Sequence, residues 1–573
     1  MRRDREGGRF SLRSGTLWGA GILAAALLVY AATLSSPFVH DDLTLIGENP
    51  AVQQSGRILD AFTTDYWAMR VGDEKRDRLY RPLTTLSLAL NRALGGNAPE
   101  GYRAVNILLH ALASLLLFTL ARRFGIGERT AGALALVFAL HPVHTEAVNA
   151  VVGRADLLAA IGVFAGMNYL LRGGLPGGIA PPAEGEAPAQ IGLRRRRAPK
   201  GEEEESGDRA GRLSPAWGAG LFFALALFSK EIGAALILWA ALWWGWRRWV
   251  RASASSGEGG AVRPAATLRS AAALAGVLLL YLAARYAALG MWSRAALPSM
   301  LDNPLAHAGA GGRIFGALGV LGRQFRLLVW PWPLSIDYSY SQVTADGPGA
   351  ALWMIAGALA ILLWAAAAWR WRASAPEAAF GLFLFLSAYL PVSNLAFPIG
   401  TVMAERLFYL PSAGFLLAAV PLARRWTEGR DRRLQAAALL LALFLFSGMS
   451  WARNAEWADP LRLWESAARV SPRSARALRL YGQYLARKGK FEAAISPLER
   501  ATRIYPRYDP AWVDLGIAQM QSRREKEGEA SLKEALRLNP DSPEGHLSLG
   551  ALYNGTGRME EAIPHLERAV SLN

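Results

Sequence analysis

Long apolar segments dominate the first 452 residues of the chain, and they constrain its fold more than any other feature. A helix needs roughly 20 apolar residues to cross the hydrocarbon core of a bilayer. Gly, Ala and Trp are common in such helices, and the chain of 573 residues contains 57 Gly and 20 Trp. We therefore predict an all-α, polytopic membrane bundle of about eleven spans. They are expected at residues 17–34, 104–121, 131–149, 155–171, 215–229, 231–246, 268–288, 350–369, 377–392, 405–423 and 434–451.

Arginine residues flank alternate spans and predict the orientation of the bundle. Basic residues near the ends of spans remain in the cytoplasm. An uncleaved first span with a cytoplasmic N-terminus places all these flanks in the cytoplasm, provided that residues 313–330 lie on the outer surface instead of crossing. The C-terminal region is then periplasmic, in a multi-pass protein of the cell inner membrane. The flanking arginines are at 122–123, 194–197, 247–248, 370, 372 and 424–425.

Charge and composition argue against other classes of protein. The net charge of +17 includes these flanking arginines, so it does not by itself indicate nucleic-acid binding. Residues 173–213 combine Gly and Pro with a run of Arg and a run of Glu, which predicts a disordered cytoplasmic linker. The chain contains no Cys, which excludes disulfides and thiolate chemistry.

A repeat with a period of 34 residues fills the C-terminal part of the chain. Gly482, Gly516 and Gly550 are spaced at this period, and so are an Ala series and a Pro series in the same segments. This pattern is typical of tetratricopeptide repeats, which stack into an α-solenoid with a concave binding surface. We predict a membrane domain at 1–452 and a repeat domain at 453–573, in which a half repeat at 455–472 precedes three near-complete repeats.

Polar and ionisable residues collect at the predicted outer ends of the spans. Such residues are costly at membrane depth, so each one marks a candidate site. The adjacent carboxylates Asp41 and Asp42 could bind a divalent cation, or one of them could act as a general base on a hydroxyl. The other candidates on the same predicted face are Arg81, Arg154, Lys230, Glu231, Glu405 and Arg406, with His110, His141, His144, Glu146, Asp156, Asp337 and Tyr338.

Each of these candidates also has a simpler interpretation. The two Asp residues could mark a water-exposed loop, and the arginines could anchor span ends or clamp a phosphate. His141 and His144 lack the spacing of a zinc-binding helix, so hydrogen bonding or substrate contact is favoured over metal binding. Because adjacent residues on a helix do not face each other, Lys230 and Glu231 should serve different partners.

Several motifs occur in a fixed order along the chain and carry a resemblance to a known family. They are FVHDD at 38–42, YRPL at 80–83, NILLH at 106–110, HPVHTEAV at 141–148, GRADLLA at 153–159, FSKE at 228–231, PLSIDYS at 333–339 and GTVMAERLFYLPSAGF at 400–415. Together with the repeats, this set resembles the transmembrane and tetratricopeptide-repeat-containing O-mannosyltransferases, which have the C-type glycosyltransferase fold. Eukaryotic members often carry more repeats than this chain.

The resemblance implies a function and assigns roles to residues. The implied co-substrate is a polyprenyl-phosphate sugar, such as a mannose donor, that is used on the outer face of the membrane without a nucleotide cofactor. Asp41 would be the base for a Ser or Thr hydroxyl of a protein or peptide acceptor, which the repeats could hold, and Asp42 would position the acceptor or share that role. A divalent cation is not expected. The residues that would contact the donor phosphate or sugar are Arg81, Arg154, Lys230, Glu231, Glu405 and Arg406.

Two other functions remain open at this point. The same fold could glycosylate a lipid or a cell-envelope glycan, with the repeats only recruiting partners. Alternatively, the chain could be a non-enzymatic membrane scaffold whose repeats assemble an envelope complex. A transporter is disfavoured, because the sequence shows no matching halves with paired, Gly- or Pro-broken segments.

Overall fold

The computed structural model describes residues 3–67, 79–172, 214–253, 264–290, 297–347, 349–371 and 375–572. Within these ranges the protein is built from helices and contains no β-strand, which confirms the all-α prediction. The predicted linker at 173–213, with its Arg run at 194–197, lies outside the described residues, as does Arg372.

The membrane part contains sixteen α-helices among the described residues, and a helix covers most of each predicted span. Short 3₁₀ turns connect several of them, among them Pro142–His144, Val151–Gly153, Glu231–Ala234 and Glu405–Phe408. The helices are α1 Arg3–Tyr30, α2 Asp41–Gly47, α3 Pro50–Gln53, α4 Pro82–Gly95, α5 Pro99–Arg123, α6 Glu128–Leu140, α7 Thr145–Asn149, α8 Arg154–Arg172, α9 Pro215–Ser229, α10 Ala235–Ser253, α11 Pro264–Leu289, α12 Ala310–Val329, α13 Ala350–Arg370, α14 Pro376–Tyr389, α15 Tyr409–Thr427 and α16 Arg432–Trp457.

Seven helices in the described part are long and apolar enough to cross a membrane. An eighth span results if α6 and Pro142–Asn149, which are bent by 49° relative to each other, are counted together. The apolar segments Pro215–Ser229 and Pro376–Val392 are shorter. The protein therefore has several membrane-spanning helices, and the count of eleven stays a prediction.

The helix ends that carry flanking arginines meet at one end of the bundle, which we call the Arg-rich end. Phe124, which follows Arg122 and Arg123, stacks obliquely on Phe380 with ring centroids 4.0 Å apart. The rings of Trp249 and Trp369 lie 5.2 Å apart at the ends of α10 and α13. Alternate helix ends therefore converge as the arginine pattern requires, while the direction of the bundle across the membrane stays a prediction.

Helix α12 covers the segment 313–330, which the sequence analysis places on the outer surface. It packs closely along α13 because Gly322 and Gly357 have no side chains, and a Cβ atom at either position would meet backbone of the opposite helix. Such small-residue contacts are common between helices in membranes. The position of α12 at the surface of the membrane stays a prediction.

The repeat region consists of helix pairs, as the 34-residue period predicts. The first helix of each pair approaches the second through Gly482, Gly516 or Gly550, where an added Cβ atom would lie 2.5–2.8 Å from a Leu side chain of the second helix. The predicted domain boundary at 452/453 lies within α16. The helices are α17 Pro460–Val470, α18 Ala475–Arg487, α19 Phe491–Ile504, α20 Asp509–Gln521, α21 Glu525–Leu538, α22 Pro543–Gly555 and α23 Met559–Leu572.

Candidate active site

Asp41 and Asp42 begin helix α2 and have opposite environments. Asp42 is fully buried, and its carboxylate accepts backbone hydrogen bonds from Val152 (3.0 Å) and Val39 (3.4 Å). The Asp41 side chain is 33% exposed, and its Oδ1 lies 3.5 Å from Nε2 of His40. Asp42 therefore joins the first loop to the Val151–Gly153 turn, while Asp41 stays accessible.

Arg103 supports this arrangement, although the sequence analysis did not select it. The side chain is fully buried in α5 and donates hydrogen bonds to the carbonyl oxygens of Ser36, Pro37 and Asn149. Burial raises the pKa of Asp42, and the positive charge of Arg103 opposes that rise. A lone Arg at the start of an apolar segment was the sequence signal that could have revealed it.

Three ion pairs lie at the same end of the bundle as Asp41, which we call the site end. Lys230 Nζ lies 2.7 Å from both carboxylate oxygens of Asp156, and both side chains are buried. Arg81 donates through Nε and a terminal nitrogen to Glu231, at 3.1 and 2.9 Å. The prediction that Lys230 and Glu231 serve different partners is confirmed.

The third pair joins Arg406 to Glu146. The Glu146 carboxylate is 1% exposed and accepts hydrogen bonds from the backbone and the guanidinium of Arg406, whose side chain is 27% exposed. The charges of Asp41 and Asp156 both act on Arg406, and those of Arg81 and Arg406 act on Lys230. The three cations and Asp41 therefore form one electrostatic cluster, in which each cation already has a carboxylate partner.

The arginines of this region differ in how many donors the protein itself uses. Arg154 is fully buried and donates to two carbonyl oxygens and to the side chains of Asn91 and Asn106. In contrast, one terminal nitrogen of Arg81 and one of Arg406 bind no acceptor among the described residues. Arg81 and Arg406 therefore retain donors for a ligand, and a phosphate role for Arg154 stays a prediction.

The candidate histidines His110, His141 and His144 pack in the interior of the helical bundle, next to the site end. All are buried, and both ring nitrogens of each lie within hydrogen-bond distance of protein atoms. Within the described residues, no group of three or more His, Cys, Asp or Glu side chains is placed to hold a metal ion. The partners are Tyr409 and Ala139 for His110, Leu328 and Val143 for His141, and Phe138 and Ser412 for His144.

Glu405, Asp337 and Tyr338 connect the site end to the repeats. The buried Glu405 carboxylate accepts hydrogen bonds from the Tyr338 hydroxyl (2.7 Å) and the Ser335 backbone (2.6 Å). Asp337 binds Ser474 and Arg476 at the start of α18. These contacts place the first repeat directly on the loops at the site end.

Further contacts dock the repeat region on the same loops. The Ser335 and Ser471 hydroxyls lie 3.0 Å apart, and the backbone of Ser341 donates to the carbonyl of Arg473 at 2.7 Å. The Trp464 ring of α17 packs edge-on against the His40 ring, with centroids 5.5 Å apart. The repeat domain therefore begins beside Asp41.

Fold and site together define a polytopic α-helical membrane protein with a tetratricopeptide solenoid docked on its site end. The family described as tetratricopeptide repeat matches residues 452–509 and 513–573. Protein O-mannosyl-transferase Tmtc1 of Drosophila melanogaster is 28% identical over 559 residues, which cover 83% of this chain and 60% of that protein. Protein O-mannosyl-transferase TMTC3 of Mus musculus is 25% identical over 589 residues, which cover 96% of this chain and 60% of that protein.

The predicted resemblance is confirmed, since the homologues of this chain are protein O-mannosyl-transferases of the Tmtc group. The chain spans about 60% of the length of these two curated relatives. Among solved structures, MamA from Desulfovibrio magneticus is similar over 26% of this chain and 93% of its own length, at 18% identity. The TM-score of 0.20 is too low to support any inference from that similarity.

Proposed function

We propose that this chain is a membrane glycosyltransferase that moves a mannosyl residue from a polyprenyl-phosphate donor to Ser or Thr hydroxyls of a protein. The homology to protein O-mannosyl-transferases supports the reaction class and the protein acceptor. The observation that carries the site assignment is that Asp41, alone of the adjacent pair, is partly exposed, while Asp42 is fully buried. A carboxylate at this position can reach a hydroxyl that arrives from outside the bundle.

In the proposed reaction, Asp41 is the general base. The acceptor oxygen forms a bond to the anomeric carbon, the bond from that carbon to the phosphate oxygen breaks, and the hydroxyl proton passes to the Asp41 carboxylate. Polyprenyl phosphate leaves with the bonding electrons. General-base catalysis of this kind contributes roughly a hundredfold to ten-thousandfold in rate.

Arg81 and Arg406 are the proposed contacts for the donor phosphate. Each guanidinium has a nitrogen that donates to no acceptor among the described residues. Negative charge grows on the phosphate as its bond to the sugar breaks. Fixed cations facing that charge lower the barrier. Lys230 pairs with Asp156, and Arg154 donates to four protein acceptors, so both hold the surrounding helices in place.

The repeats are the proposed acceptor-binding domain. Trp464 of α17 touches His40, the residue before Asp41, so a peptide lying along the solenoid passes close to the base. A lipid or glycan acceptor needs no solenoid, which favours protein over these alternatives. On the predicted topology, transfer takes place on the periplasmic face.

The test is transfer by the purified full-length protein in lipid nanodiscs, with polyprenyl-phosphate mannose and Ser/Thr peptides, read by mass spectrometry. We expect Asp41→Asn to lower the rate at least a hundredfold, as loss of a general base should. Asp60→Asn is the matched control, because Asp60 is also a partly exposed carboxylate of the first loop, and its ion pair among the described residues is with Arg57. Full activity in a folded Asp41→Asn protein would remove Asp41 from its role, and transfer to glycolipid but not to peptide would refute the protein acceptor.

A further inference from the structure

Two histidines of the last repeat lie side by side, and neither the proposed reaction nor the docking of the repeats uses them. His546 belongs to α22 and His565 to α23, and their Nδ1 atoms are 2.9 Å apart. The ring centroids are 5.1 Å apart, with an angle of 35° between the ring planes. Both imidazoles are half-buried. Two ring nitrogens at this separation share a proton and have the approach that a shared metal ion needs.

The proton positions of the pair follow from a third contact. Nε2 of His546 lies 2.9 Å from the carbonyl oxygen of Pro540, in the loop before α22. A carbonyl oxygen can only accept, so this nitrogen carries the hydrogen, and a neutral ring then has a bare lone pair on Nδ1. Nδ1 of His565 is therefore the donor between the two rings. The lone pair of His546 points at His565, with one proton between them.

This arrangement is the one that metal-binding histidines adopt. A ligating imidazole almost always donates its other ring N–H to a backbone carbonyl, a carboxylate or water, which fixes its tautomer and its orientation. His546 does so through Pro540. On a tetrahedral zinc ion with Zn–N bonds of about 2.0–2.1 Å, two ligand nitrogens lie roughly 3.3–3.4 Å apart. The Nδ1 atoms, now 2.9 Å apart, need to open by about 0.4–0.5 Å, which a small rotation of either side chain provides.

The charges around the pair allow a cation to bind. Burial lowers the pKa of His565, and the charges of His546 and Lys533 lower it further. The ring is therefore neutral at pH 7, which is the form that binds metals. Lys533 would repel a metal ion, but it is itself paired with Glu529 at 2.6 Å. The carboxylate of Glu561, one turn before His565 in α23, acts on the ring with the opposite sign.

We propose that His546 and His565 bind a divalent transition-metal cation such as Zn²⁺ through their Nδ1 atoms, and that the ion joins α22 to α23. Imidazole nitrogen suits Zn²⁺, Cu²⁺ and Ni²⁺, whereas Mg²⁺ takes oxygen ligands. The metal accepts a lone pair from each ring, and the proton of His565 moves through solvent from Nδ1 to Nε2. Water completes the coordination, because the described residues place no third His, Asp or Glu ligand there. The site is independent of the transferase reaction.

The experiment measures zinc binding by the full-length protein in lipid nanodiscs, with no polyhistidine tag on the protein or on the disc scaffold. Competition with a fluorescent zinc chelator gives the affinities of wild type, His546→Gln, His565→Gln and His307→Gln. Glutamine can keep a hydrogen bond in place of an imidazole, but it lacks the nitrogen that binds zinc. His307 is exposed and bonds to the carbonyl of Pro298, so it is the control for losing an imidazole elsewhere.

We expect His546→Gln and His565→Gln each to weaken zinc binding at least about tenfold, because losing a ligand costs no less than losing the group that orients it. His307→Gln should match wild type, and Mg²⁺ should not compete with zinc. A wild-type protein that does not bind zinc, or glutamine variants that bind it as tightly as wild type, would overturn the proposal.

A second measurement uses wild type alone, so it decides the question even if a glutamine variant is unstable. Diethyl pyrocarbonate modifies accessible imidazole nitrogens, and peptide mass spectrometry locates each modified residue. Zinc should protect His546 and His565, while His307 should react equally with and without zinc. Modification of the pair to the same extent in both conditions would contradict a metal site between α22 and α23.

Discussion

The buried pair of Lys230 and Asp156 allows a quantitative test of how the site end is held together. Nζ lies 2.7 Å from each carboxylate oxygen, and the side chains are 8% and 3% exposed. At this distance and an effective dielectric constant of about 20, the Coulomb attraction is roughly 6 kcal/mol, much of which offsets the cost of removing both charges from water. Removing one partner leaves the other charge buried and alone.

We therefore expect Asp156→Leu and Lys230→Met each to destabilise the folded protein by about 3–5 kcal/mol. The double variant Asp156→Leu/Lys230→Met should regain most of that loss, because no unpaired charge remains. Reversible unfolding in mixed micelles measures all four proteins of this double-mutant cycle. The exposed pair of Arg57 and Asp60 is the control, and Asp60→Asn should cost less than about 1 kcal/mol. Our account of the pair is refuted if the double variant is as unstable as the single ones.

Three further predictions concern the repeat domain. Ser335→Cys/Ser471→Cys should form a disulfide on mild oxidation, seen on a non-reducing gel, because the two hydroxyls lie 3.0 Å apart and the chain has no other Cys. Gly482→Ala should lower the free energy of unfolding by about 1–3 kcal/mol in chemical denaturation, since its Cβ would lie 2.5 Å from Leu498, whereas Ser496→Ala at an exposed position of α19 should change little. Hydrogen bonds from Arg558 and Lys533 lower the pKa of Glu529 from 4.5 to about 2, so its stabilisation is complete above pH 4.5 and is lost as the pH falls towards 2. Glu529→Gln should flatten the melting temperature over that range, and an unchanged pH dependence would contradict this.

Local patterns in the sequence were enough to predict the architecture. Apolar length depends on the solvent around each segment, so it predicts membrane helices without knowledge of tertiary contacts. The repeat phase was visible because Gly482, Gly516 and Gly550 each face a Leu of the partner helix, a requirement that recurs in every repeat. Lys230 and Glu231 have separate partners as predicted, but Lys230 is extended and Glu231 begins a 3₁₀ turn, so the reason is the turn between α9 and α10 and not the geometry of a helix.

The different environments of neighbouring site residues could not be predicted in this way. Asp41 and Asp42 are adjacent carboxylates in the sequence, and a backbone donor 110 residues further on, Val152, helps to make Asp42 the buried acceptor. Similarly, the donors of Arg154 are used by groups 48 to 67 residues away, so its guanidinium could not be distinguished from that of Arg406. Distant contacts decide whether a charged side chain is structural or available.

Under the proposed function, the docking of the first repeat on the loops at the site end has a consequence for which hydroxyls of an acceptor are modified. Backbone pairing between Ser341 and Arg473, together with the ion pairs of Arg476, leaves the solenoid little freedom to swing. A module on a flexible tether would let a base reach many positions around a bound segment. A solenoid fixed in this way would keep a bound acceptor segment at a constant distance from Asp41. Under the proposed function, glycosylated Ser and Thr residues should therefore occur at a constant number of residues from the segment that the repeats hold.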